Sequence, residues 1–141
     1  RRSLDQAGLA DDVEIVKEFG RPSRIDFLSG LSVMSVPSRH KEAFGLYAIE
    51  AMAAGVPVIL PDHGAAGELI GMTGGGLMHA PHDSRALADA IAHVLSDEAR
   101  ARLMGQSGRD AVLKHFAAER AAERFIEACR AIADAGAGGR S

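Results

Sequence analysis

Apolar and polar residues alternate along "VEIVKEF" (13–19), which places Val13, Ile15 and Phe19 on one side and predicts a strand. "LSVMSVP" (31–37) reads as a second strand. Between them "RPSRIDFLSG" (21–30) has Pro22 or Ser23 at its start and Gly30 at its end, the punctuation of a short helix. Residues 44–54 predict a helix stopped by Gly55. The apolar run "VPVIL" (56–60) follows directly, as in a buried parallel strand. "GMTGGG" (71–76) predicts a flexible turn and "LMHA" (77–80) a short strand. Asp83 or Ser84 caps a helix whose stripe is Leu87, Ile91, Val94 and Leu95. Further helices are expected at about 97–115 and 117–134, and "RRSLDQAGL" reads as the end of another. Strands alternating with helices predict an α/β domain over 1–134, with a parallel sheet of about four strands, flanking helices and a helical C-terminal end. The remaining residues, 135–141, predict a disordered tail.

Composition narrows the partners. The chain has 141 residues and is 47% hydrophobic, enough for one sizeable core. A net charge of −3 argues against a nucleic-acid or anionic-membrane surface, because neither attracts such a balance. One cysteine, Cys129, allows no intramolecular disulfide and makes a cytoplasmic setting the default. No apolar run reaches the roughly 18 residues of a membrane span. The six histidines show no metal-ligand spacing, and no metal site is expected.

The stretch that carries chemistry is "HKEAFGLYAIEAMAAG" (40–55), where Glu42 and Glu50 flank a helix otherwise made for burial. Ligands of a parallel α/β sheet bind at the carboxyl ends of its strands, and this helix begins there. The amides of Phe44, Gly45 and Leu46 at its start, with the positive end of the helix dipole, make an anion site. Gly45 lets the backbone approach a phosphate closely. Glu42 precedes that site, and Glu50 lies roughly 7 Å beyond it at about 1.5 Å per residue. Carboxylates on either side of a diphosphate would accept hydrogen bonds from hydroxyls, and a nucleotide sugar has that layout: ribose, diphosphate, sugar.

"PSRHKEAFGLYAIEAMAAGVPVILPDHGAAGELI" resembles the core signature of the family-4 type of GT-B glycosyltransferases, also called glycosyl transferases group 1. The family pattern is roughly P-S-x-x-E-x-F-G-L-x-x-x-E-A-M-A-x-G-x-P-V, then a Gly-Gly turn and a Glu. The resemblance spans about residues 11 to 133. It departs in two places: the Gly-Gly turn reads Gly64-Ala65, and a tryptophan common near the last helix is absent. The resemblance implies a Rossmann-like nucleotide-sugar domain. By position, Glu42 would meet the donor sugar, and Phe44, Gly45 and Leu46 would hold diphosphate or sugar. Glu50 would bind the ribose hydroxyls, and Phe19, Gly20 and Arg21 would face the nucleobase.

The same resemblance implies a retaining, metal-free transfer of sugar from a nucleotide diphosphate sugar to an acceptor, with no cofactor. It also implies that an acceptor-binding N-terminal domain, and the two βα units that bring an Arg and a Lys to the diphosphate, are missing. Such a fragment is expected to be inactive alone. In the family's strand order 3-2-1-4-5-6 the strands here resemble the third to sixth. The gap is expected to close by pairing of 13–19 with 31–36, while an open sheet edge or the terminal helix offers a dimer contact. Two alternatives stand beside this reading: a nucleotide-sugar epimerase of the same architecture, and a non-catalytic nucleotide-binding or interaction module.

Overall fold

A computed structural model describes residues 2–17 and 21–137. The chain opens with helix α1 (Arg2–Ala7) and a 3-10 turn at Ala10–Asp12. Helix α2 (Arg21–Ser29) precedes strand β1 (Met34–Ser35). Then come α3 (Leu46–Ala53), β2 (Val58–Pro61), α4 (Ala66–Thr73) and β3 (Gly76–His79). Three helices close the chain: α5 (Ser84–Leu95), α6 (Glu98–His115) and α7 (Ala118–Ala137).

The strands form one parallel sheet in the order β1-β2-β3. Its register pairs Met34 with Val58 on one side and Val58 with Gly76 on the other. The central strand β2 is buried at all four positions, which is why its sequence is an unbroken apolar run. Val58 and Ile59 from β2, Met52 from α3 and Val94 from α5 are the largest side chains fully shielded from solvent. Each such burial contributes on the order of 1.5–3 kcal/mol. Helix α6 crosses α3 and α4, and its Gly105 and Gly108 bring it almost to backbone contact with Gly55 and Gly75.

The α/β class holds, but four expectations need correction. Residues 13–17 form no strand: they carry no ladder partner, and Val13, Ile15 and Val16 are exposed. Alternation is a local property, whereas a strand needs a neighbour for its N–H and C=O groups. The described residues therefore form three strands rather than about four, and 13–17 do not pair with 31–36. Second, helix α3 starts at Leu46 rather than Phe44, because Gly45 takes left-handed angles (φ 74°, ψ 48°) that end the regular helix. Third, Gly71 to Thr73 are the last turn of α4 and not part of a flexible turn. Thr73 closes that helix: its hydroxyl donates to the Leu69 carbonyl at 2.8 Å and accepts from the Gly75 amide at 3.2 Å. Fourth, α7 continues to Ala137, through the first residues of the expected tail. Asp83 caps α5 as expected, one carboxylate oxygen accepting the Arg85 and Ala86 amides at 2.9 and 3.0 Å.

Among the described residues no helix is long and apolar enough to cross a membrane, and no group of three or more His, Cys, Asp or Glu is placed to hold a metal ion.

Candidate functional site

The loop leaving β1 folds back on itself through Ser38. Its hydroxyl donates to the His40 carbonyl at 2.9 Å and lies 3.5 Å from a carboxylate oxygen of Glu42. The turn after β2 holds the loop from the other side. Ala65 N–H donates to the Glu42 carbonyl at 2.9 Å, and His63 Nε2 lies 3.3 Å from the Ser38 carbonyl. Glu42 is thus fixed by its backbone, with its side chain half-buried.

Three residues on, Gly45 turns the chain into α3. Its carbonyl accepts the Ala48 and Ile49 amides at 2.9 and 3.3 Å, and no side chain caps this helix end. The first amides of a helix have no partner inside it, so those of Leu46 and Tyr47 face outward with the positive end of the dipole behind them. Phe44 is exposed and meets Phe116 edge-to-face at 6.1 Å between ring centres. Phe116, which follows α6, therefore folds back onto the site, while Phe125 and Ile126 of α7 stay exposed.

Glu42, Phe44 and Gly45 come together in a shallow, open crevice of only about 10 Å³ with Tyr47 and His63. Leu46 is exposed at its edge. Glu50 faces elsewhere. It forms an ion pair with Arg24 of α2, 3.2 Å from Nη2 to Oε1, and lines a second cavity of about 410 Å³ between α2 and α3. Glu42 therefore lies before the helix start and Glu50 more than a turn inside it, and the two share no cavity. Of the residues expected at a nucleobase, Arg21 opens α2, and Phe19 and Gly20 lie outside the described residues.

Sequence reasoning missed Ser38, Tyr47, His63 and Arg24. Ser38 stood in the quoted motif, and its spacing of four from Glu42 was a usable signal. Nothing local links Arg24 to Glu50, because their pairing depends on how two helices pack. A larger cavity of about 590 Å³ also went unforeseen; it lies between the ends of β1 and β3, beside Arg39, His79, His82 and Leu87.

Tyr47 reports on this site. Burial, reinforced by the negative charge of Glu42, raises its phenol above the ordinary value of about 10. It is the chain's one tyrosine, so ultraviolet absorbance titrates it alone. Glu42→Gln is expected to lower its midpoint while leaving the part due to burial; an unchanged midpoint would show that Glu42 does not face it. Stability follows with a definite sign. Below about pH 10 both states keep the proton. Between that pH and the raised folded value only the unfolded chain loses it, so stability falls as pH rises through this window.

Residues 1–111 match the sequence profile of the family described as glycosyl transferases group 1. The lipopolysaccharide core biosynthesis mannosyltransferase LpsB of Rhizobium meliloti is 39% identical over 86% of this chain and 34% of its own length. Sucrose-phosphate synthase from Thermosynechococcus elongatus superposes with a TM-score of 0.85 at 35% identity, over 95% of this chain and 33% of that one. Anabaena HepE, crystallised with UDP-glucose, shares the fold at a TM-score of 0.82 and 20% identity, over 92% of this chain and 35% of its own. The chain thus spans about a third of these relatives. It belongs to the glycosyl transferases group 1 family.

Proposed function

We propose that this chain is the nucleotide-sugar-binding part of a retaining glycosyltransferase, which moves a sugar from a nucleotide diphosphate sugar to an acceptor and needs an acceptor-binding domain to do so. The observation that carries the reading is the uncapped start of α3 at the carboxyl end of β1, with Glu42 beside it and Glu50 further along the same helix. Outward amides and the helix dipole favour a diphosphate. The same groups would stabilise the charge that builds on a departing nucleoside diphosphate. Glu42 would accept hydrogen bonds from donor-sugar hydroxyls and Glu50 from the ribose, as charged acceptors do more strongly than neutral ones. The UDP-glucose bound by HepE and the transferase names of the relatives agree with this chemistry.

The test is titration of the chain with UDP, GDP and ADP, followed by amide NMR shifts, which read even millimolar binding. The largest shifts are expected at Leu46 and Tyr47, with no sugar transfer by the chain alone. Shifts centred on Arg39 and His82 instead would place the ligand in the cavity between β1 and β3 and sink the reading.

A further inference from the structure

We infer that Arg24 is a positioning residue for Glu50: its guanidinium holds the carboxylate in the orientation that receives ribose hydroxyls, an inference that rests on the nucleotide reading above. The two residues stand on different helices, α2 and α3, 26 positions apart, so their pairing is not the i,i+4 contact that decorates many helix surfaces. Arg24 contacts one carboxylate oxygen, Oε1, at 3.2 Å. The other oxygen keeps its acceptor capacity for a ligand. Both side chains line the 410 Å³ cavity between the helices, with Ile25 and Leu28 supplying apolar wall. That volume lies in the range of small-molecule sites, and the mix of apolar wall and few polar groups is typical of them.

The second arginine at this cavity has other work. Arg109 of α6 donates to the Ala53 carbonyl at 2.9 Å, at the far end of α3. Among the described residues, Arg24 is the cation within ion-pair distance of Glu50. Stability does not account for the pair. The side chains are 47% and 32% exposed, and exposed pairs contribute little to folding. Orientation is what the contact supplies. A glutamate has three side-chain torsions, and freezing them on binding weakens affinity unless a partner has already frozen them.

Binding of whichever of UDP, GDP or ADP the chain holds best, and of its 2′-deoxy form, tests this by NMR titration. Arg24→Ala is expected to weaken the ribonucleotide about 3- to 10-fold and to narrow the gap between ribo and deoxy forms. Arg24→Lys, which keeps the charge, should recover part of the loss. The unfolding midpoint should not move. Glu50→Ala should weaken the ribonucleotide at least about tenfold, and adding Arg24→Ala to it should have no further effect. Equal or tighter binding by Arg24→Ala, with Glu50→Ala still impaired, overturns the role of Arg24 alone. A loss that persists in the Glu50→Ala background also overturns it, because Arg24 would then be touching the nucleotide itself. Unchanged binding by Glu50→Ala, or no binding of any of the three nucleotides, overturns both this inference and the reading beneath it.

Discussion

Gly105→Ala is expected to destabilise the fold by about 2–3 kcal/mol, a large part of the roughly 5–15 kcal/mol that holds such a domain together. Two effects oppose each other. Gly105 sits inside α6, where alanine gains about 1 kcal/mol in helix propensity. Its Cβ, however, would run into the Gly55 carbonyl oxygen and lie 3.0 Å from the carbonyl carbon. That obstacle is backbone, between α3 and β2, and cannot rotate away. Overpacking of this kind costs about 1–3 kcal/mol and sometimes more. Here α6 must also lift from α3, its principal helical neighbour. The clash wins. Gly67→Ala and Gly71→Ala in α4 give the contrast, because a Cβ at either meets nothing within 4 Å. They are expected to be neutral or to stabilise by up to about 1 kcal/mol. Denaturant midpoints decide the matter. If Gly105→Ala behaved like Gly71→Ala, the close approach of α6 to the turn at Gly55 would be wrong.

Such close approaches mark where reading the sequence stops. β2, the Asp83 cap and the helix α5 were legible because their signals are local: an unbroken apolar run, a capping residue, a stripe at helical spacing. The segment 13–17 has an equally good local signal and forms no strand, since pairing is decided by what lies beside it. The site divides in the same way. Glu42, Phe44 and Gly45 are close in sequence and come together; Glu50, a turn into α3, lines a different cavity, where it pairs with Arg24 of another helix. The start of α3 moved to Leu46 because left-handed angles at Gly45 were not foreseen, although the residue type allowed them.

Gly64→Ala is expected to cost about 3 kcal/mol and to disturb the site as well. The family's Gly-Gly turn reads Gly64-Ala65 here, and the two positions differ in what they require. Gly64 has φ 60°, a left-handed value that costs other residues about 1–2 kcal/mol. A Cβ there would also collide with the Glu42 carbonyl oxygen and sit 2.8 Å from the Glu42 amide nitrogen. Ala65 is right-handed (φ −78°, ψ −2°), and its N–H donates to that same carbonyl at 2.9 Å. The turn thus presses bare backbone against the residue expected to meet the donor sugar, and only its first position needs glycine. Relief of the collision must push the 38–42 loop outward, break the Ala65–Glu42 hydrogen bond and carry the Glu42 carboxylate away from Tyr47. The variant should therefore lose stability in denaturant and, where still folded, show a Tyr47 midpoint shifted down toward the ordinary value. Ala65→Gly, which restores the family's second glycine, should cost no more than about 1 kcal/mol from added backbone freedom and leave Tyr47 unmoved. A Gly64→Ala chain with normal stability and an unchanged tyrosine titration would mean that the turn after β2 does not hold Glu42 in place.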